Sequence, residues 1–137
     1  MEIGRRERRK QRTRRALLAA ALELFGKRGI YSTRLEDITQ AADLGKGAFY
    51  NYFGSKDELT AALLDEAVDL LHRVYLLNVS AHSTPMERVV EIARCHRAFF
   101  DEHPVYLLLF HQAQGLMLVR QGSFPALKRV FATHLSR

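Results

Sequence analysis

The sequence has no tryptophan, one cysteine and three prolines in 137 residues, and each scarcity removes a class of protein. A lone Cys95 cannot close an intramolecular disulfide and has no CxxC partner for a metal site, which fits a reducing, cytoplasmic setting. With so few prolines among many Ala and Leu residues, long stretches are free to be helical. Long apolar runs are missing too. The longest beyond the N-terminal third, Val105 to Phe110, falls far short of the ~20 residues a membrane span needs. The basic N-terminus is followed by an amphipathic stretch containing Glu23, not by an apolar h-region with a cleavage site, so no secretory signal and no membrane partner are expected.

Catalytic signatures are equally sparse. Gly45-Lys46-Gly47 lacks the upstream glycine and the Ser/Thr of a phosphate-binding loop. No GxSxG, HExxH or paired-carboxylate constellation occurs, so an enzyme is not expected. Cys95-His96 is too small a cluster for a metal site, and His72, His82, His103 and His134 are scattered along the chain. Neither a metal nor a cofactor is expected.

What the sequence does have is charge of one sign in one place. Residues 1–15 hold eight Lys/Arg and two Glu, which equals the formal net charge of +6 for the whole chain. A basic head on a neutral body is the electrostatic footprint of a nucleic-acid or anionic-surface binder, although a solvated tail has the same composition.

Hydrophobic periodicity predicts an all-α protein with no strands. Leu17, Leu18, Ala21, Leu24 and Phe25 give one apolar face to a first helix over Arg8–Arg28, ended by Gly29. Arg5 to Arg15 read as a flexible basic arm running into its opening turns. Thr33 and Glu36 suggest a capping box at the start of a short second helix over Arg34–Ala42, with Leu35, Ile38, Ala41 and Ala42 inward. Asp43-Leu44-Gly45 breaks it, and a third helix over Lys46–Tyr52 follows. Ser55 and Glu58 form a second capping-box pattern, opening a fourth helix with Leu59, Leu63, Ala67, Leu70, Val74 and Leu77 on one face. After a loop at Ala81–Pro85, a fifth helix carries Met86, Val89, Val90, Ala93, Arg97 and Phe100 and ends near Glu102. Pro104 opens a sixth over Val105–Arg120, apolar on most sides and therefore expected to be central. A seventh runs over Phe124–Leu135.

Helices two and three with the turn between them read as a helix-turn-helix. One helix lies across the DNA backbone and clamps the other, whose outer face enters the major groove. Phe49 and Phe53, four apart, are placed to face the core. That leaves Lys46, Gly47, Ala48, Tyr50, Asn51 and Tyr52 for DNA.

These residues carry a resemblance to a known family. The pattern Leu17-Leu18-x-Ala20-Ala21-x-x-Leu24-Phe25-x-x-x-Gly29, then Leu35-x-x-Ile38-x-x-Ala41-Ala42, Lys46-Gly47-Ala48-Phe49-Tyr50-x-Tyr52-Phe53 and Ser55-Lys56-Asp57-Glu58-Leu59 resembles the DNA-binding domain of TetR-family transcriptional regulators. The chain departs from the family in two places: Asp43 stands at the usual turn glycine, and Gly45 at the usual serine opening the third helix. Asp tolerates a left-handed backbone better than most residues, and Gly opens a helix without a side-chain cap.

The resemblance implies a three-helix DNA-binding head at 1–55 and a helical ligand-binding and dimerisation bundle at 56–137. Family members are longer, so that bundle is expected to be incomplete. It further implies a homodimer on a palindromic double-stranded operator, repressing until an unidentified small-molecule effector releases the DNA. Thr33, Tyr50 and Lys56 would contact phosphates, and Lys46, Gly47, Ala48 and Asn51 would lie at base edges. Each has a plainer reading: Thr33 as a cap, Tyr50 as packing, Lys56 as first-turn surface, Asn51 as solvated. The basic arm, Arg5, Arg6, Arg8, Arg9 and Arg12, is expected to touch phosphates without reading sequence. Effector-pocket candidates are Cys95, Phe99, Phe110, His111, Gln114 and Met117, each of which would otherwise be core or surface. The rival class is a helical interaction module whose basic tail binds nucleic acid or anionic surfaces non-specifically.

Overall fold

A computed structural model describes residues 4–119, with side chains to Gln114. Among the described residues the fold is all-α. The helices are α1 (Arg5–Arg28), α2 (Leu35–Ala41), α3 (Lys46–Phe49), α4 (Lys56–Asn78), α5 (Pro85–Glu102) and α6 (Pro104–Val119). The expected seventh helix lies outside the described residues. The chain divides into two compact units, with the boundary after Leu63.

In the first unit, Leu17, Leu18, Ala21 and Phe25 of α1 are essentially buried, as are Ile30, Ile38, Phe49, Phe53, Leu59 and Leu63. Apolar spacing on α1 therefore predicts the core correctly, but the start of the helix moves. It begins at Arg5, not Arg8, so the basic segment is helical rather than a loose arm. Arg, Lys, Gln and Glu are good helix formers, and nothing between Gly4 and the apolar stripe breaks the run. Gly29 ends the helix at φ 81°, a conformation that favours glycine.

The turn after α2 is a Schellman motif. The Leu44 amide donates to the Thr39 carbonyl at 2.8 Å and the Asp43 amide to that of Gln40 at 3.1 Å. Asp43 takes the left-handed position at φ 55°, as its replacement of a turn glycine requires. The third helix is shorter than its pattern suggests. Regular α-helix stops at Phe49, and Asn51 and Tyr52 continue as tighter turns, their amides bonding to Ala48 and Phe49. Asn and aromatic residues hold helix weakly, and Gly54 offers no reason to extend it.

In the second unit, Ala67, Leu71 and Phe99 are buried together, with Val74, Tyr75, Phe100, Tyr106 and Phe110 packed around them. Thr84 caps α5: its hydroxyl accepts from the Glu87 amide, and the Glu87 carboxylate accepts from the Thr84 amide at 2.7 Å. Pro85 sits in the first turn, where its missing N–H costs nothing. Here the inward faces differ from expectation. Ala67 is buried as expected, but Leu70 and Leu77 on α4 are exposed and Leu71 is the residue that turns in. Met86, Val89 and Val90 on α5 are also exposed, and Cys95 and Phe99 are the residues that turn in. On α6 only Leu109 and Ala113 are buried among the described side chains, while Leu107 and Leu108 face outward, so a fully apolar stretch does not make this helix central.

Candidate nucleic-acid interface

The outer surface of the first unit is built on two buried aromatic anchors. Phe49 and Phe53 are 0% and 3% exposed, with ring centroids 5.8 Å apart. Anchoring these two turns Lys46, Gly47, Tyr50 and Asn51 outward, with Ala48 and Tyr52 half-buried beside them. Tyr50 is 56% exposed and rests edge-on against Phe49. The Arg14 guanidinium stacks over the Phe53 ring at 5.2 Å, a contact that fixes α1 against the end of α3. A Cβ placed on Gly45 or Gly47 would meet nothing within 4 Å, so the protein's own packing does not require glycine at either position.

Lys46 is not a loose cation. Its Nζ lies 2.5 Å from Glu36 Oε1 on α2. The hydrogen bond to Lys46 holds the Glu36 carboxyl below its usual range, and the same bond holds the Lys46 ammonium above its own. Both side chains are exposed, so solvent screens the pair and a competing anion can take Lys46 from it.

The first turns of α1 complete the surface. Residues at helical spacing, Arg6, Arg9, Lys10 and Thr13, share one face. Together with Gly4, Glu7, Leu44, Ala48, Asn51 and Tyr52 they line an open cleft of about 970 Å³. Arg5, Arg8 and Arg12 lie on another face of the same helix, all exposed.

Two expected DNA contacts are engaged within the protein itself. Thr33 is fully buried, and its hydroxyl donates to the Gly29 carbonyl at 2.8 Å, so it cannot reach a phosphate. Nor does it cap α2. That place belongs to Arg34, whose amide donates to the Asp37 carboxylate at 3.0 Å. Lys56 is half-buried and its Nζ donates to the carbonyls of Ile30 and Thr33 at 2.7 and 2.9 Å. The second capping box is realised one residue out of step on one side. Ser55 Oγ accepts from the Glu58 amide, but the Glu58 carboxylate takes the amide of Gly54.

Among the described residues, the effector-pocket candidates do not line a common cavity. His111 and Gln114 are exposed, Phe99 is core, Phe110 is half-buried beside it, and the Met117 side chain lies outside the described residues. Cys95 borders an open hollow with Val74, Asn78, Glu91, Arg94 and Ala98. A cavity of about 780 Å³ lies between α4 and α5, with Val68, Leu71 and Ile92 as apolar walls and His72, Tyr75, Arg88 and His96 as polar ones. Within it the Tyr75 hydroxyl is hydrogen-bonded to the His96 ring. Burial, helped by Cys95, pushes the Tyr75 pKa up to about 12, so the phenol stays protonated. These residues carry no local sequence signal. Their meeting depends on how two helices pack.

The geometry of the first unit agrees with comparison to known proteins. Residues 17–63 match the family model described as bacterial regulatory proteins, tetR family. Residues 17–63 are a TetR-family domain. The HTH-type transcriptional repressor KstR2 of Mycobacterium tuberculosis is 29% identical over 108 residues, which is 79% of this chain and 54% of KstR2. The HTH-type transcriptional regulator TtgR of Pseudomonas putida is 46% identical over 55 residues, 40% of this chain and 26% of TtgR. The solved structure of the ketosteroid transcriptional regulator KstR2 superposes with a TM-score of 0.71 and 26% identity, over 90% of this chain and 61% of that one. The chain thus spans about half the length of KstR2. These relatives are transcriptional regulators, not enzymes, and similarity to TtgR is concentrated in a segment the length of the TetR-family domain. Among the described residues no helix is long and apolar enough to cross a membrane.

Proposed function

We propose that this chain is a DNA-binding transcriptional regulator whose residues 1–55 read a palindromic operator and whose residues 56–137 belong to a region that answers a small-molecule effector. The carrying observation is the outward face of α3. Four exposed residues, Lys46, Gly47, Tyr50 and Asn51, stand over a buried Phe49–Phe53 pair inside a helix-turn-helix closed by a Schellman turn. In the major groove the Asn51 amide offers a donor and an acceptor to base edges. Tyr50 supplies a phosphate contact, Lys46 exchanges Glu36 for a phosphate, and Gly47 with Ala48 admits close approach of the duplex. Tyr52 lies at the rim of the cleft, where the sugar–phosphate strand passes between it and the Arg6–Lys10 face of α1. Arg5, Arg8 and Arg12 add sequence-independent attraction.

One head makes few contacts, so affinity comes from two heads of a homodimer on inverted half-sites about 34–36 Å apart. The relatives named as repressors favour repression as the output. The α4–α5 cavity falls in the size range of small-molecule sites and is the place for an effector in preference to His111 and Gln114. An effector that favours one arrangement of the heads shifts operator affinity through linkage, typically about 1–3 kcal/mol. The free thiol of Cys95 suits the reducing cytoplasm.

The test is selection of binding sites from a random duplex library with the full chain. Recovery of two inverted half-sites is the expected result. Retention of DNA without enrichment of any sequence would instead support the rival, a basic helical module binding polyanions.

A further inference from the structure

We infer that Glu36 is a specificity-determining residue, an anionic brake that neutralises Lys46 on DNA other than the operator. The inference deepens the DNA-binding reading above and rests on it. Glu36 lies in the first turn of α2, and its carboxylate reaches Lys46 at the start of α3, Oε1 to Nζ 2.5 Å. More than half of each side chain is exposed, so the pair fills no core. Nor is Glu36 needed to open α2, since Asp37 accepts the Arg34 amide there. Arg34 bears on the Glu36 charge, and Tyr50, at the end of α3, bears on that of Lys46. A carboxylate therefore sits among the very groups offered to the duplex, where it opposes any polyanion.

The bond to Glu36 does not shut a phosphate out, because an ammonium has three donors. What the carboxylate removes is charge. The pair presents no net cation, and a phosphate drawn to Lys46 is repelled by the carboxylate beside it. On random DNA the head docks loosely, Lys46 stays paired, and it adds nothing to the attraction. On the operator, base contacts hold the duplex in register and bring a phosphate close enough for Lys46 to leave Glu36. That exchange occurs only where the phosphate contact is stronger than the pair. Removing the carboxylate therefore gives random DNA the whole contact, but gives the operator only the smaller energy of the pair. Glu36 lowers both affinities and widens the gap between them.

The experiment titrates the full chain and its Glu36→Gln, Lys46→Met and double variants on a selected operator duplex and a random duplex, across a salt series. Glu23→Gln is the control, since it removes the same charge from another exposed pair, that with Lys27. A brake predicts that Glu36→Gln binds random DNA about three- to tenfold tighter, with a salt slope steeper by about one. Operator affinity should rise less and its slope should hold, so the preference for the operator narrows. With Lys46→Met already in place, Glu36→Gln should leave the random-duplex slope unchanged, because no ammonium remains to be released. Equal gains on both duplexes, no larger than those of Glu23→Gln, would make Glu36 ordinary surface charge and overturn the inference. So would a slope that steepens just as much without Lys46, which would mean that Glu36 repels DNA by itself. A loss of operator affinity in Glu36→Gln would overturn it as well, making Glu36 a reader of a base amino group. Failure of the DNA-binding reading is a separate result, visible as no operator preference in the native chain.

Discussion

The two units of this chain differ in what their exposed side chains are made of. In the first, the outward set is polar and tethered: Lys46 to Glu36, Arg14 to the Phe53 ring, Tyr50 to the Phe49 ring. In the second, charged pairs such as Arg97 with Asp101 share the surface with large apolar side chains, Leu76, Leu77, Met86 and Val89 each being more than half exposed. In its cavity Tyr75 is hydrogen-bonded to His96. A surface whose polar groups are held in place before a partner arrives has less ordering entropy to lose on binding. That difference is why the first unit alone supports a residue-level mechanism.

The comparison can be broken most forcefully at the two cores. Phe49→Ala and Phe99→Ala each remove a buried ring and should each cost about 3–5 kcal/mol in thermal or denaturant unfolding. If the units are separately cooperative, native-state amide exchange will lose protection within residues 4–63 for the first variant and within 64–114 for the second. Loss throughout the chain in both would mean that the division after Leu63 has no energetic content.

Next in size is Tyr50→Ala. With 56% of its surface exposed, this side chain contributes little to the fold, so helical circular dichroism should be unchanged. Operator affinity should fall about 10- to 100-fold. Retained affinity would mean that α3 is not the reading element.

The helical start of α1 gives a third test. Gln11→Pro changes no charge but breaks the helix ahead of it. Because Arg6, Arg9 and Lys10 wall the cleft only while α1 is helical, operator affinity should fall about tenfold with random-duplex affinity intact. No change would return these residues to the role of a loose basic arm.

Smaller still are two glycine-related substitutions. Gly47→Ala meets no neighbour and improves helix propensity by up to about 1 kcal/mol, so the melting temperature should hold or rise. Operator affinity should nonetheless drop, since the new methyl lies on the face offered to DNA. Asp43→Gly should simply stabilise, by about 1 kcal/mol, because it relieves a left-handed non-glycine residue.

The first unit was legible in the sequence because its signals are local. The Leu17–Phe25 stripe, the Asp43 turn and the Phe49–Phe53 spacing each specify a structure within a few residues, and the fold realises all three. Where the structure departs from the pattern there, side chains bond to backbone carbonyls that periodicity does not register, one four residues away and two far along the chain. Thr33 was drawn inward by the Gly29 carbonyl, and Lys56 was drawn back by carbonyls 26 and 23 residues away. The second unit was less legible for the same reason carried further. Leu, Val and Met surround α5 and α6 on several sides, so periodicity does not say which side faces a neighbour. Packing chose Cys95, Phe99 and Leu109 over Met86, Val89 and Leu107. One local signal was present and overlooked: Thr84-Pro85-x-Glu87 is a capping box with a first-turn proline.

The most direct test of the central claim is a competition titration of the full chain, at physiological salt, between its selected duplex and random DNA of equal length. Presentation of Lys46, Gly47, Tyr50 and Asn51 on a rigid head predicts a preference of about 10³ or more for the selected duplex. A preference near one, with affinity collapsing steeply as salt rises, would show that charge alone holds the DNA and would contradict the account.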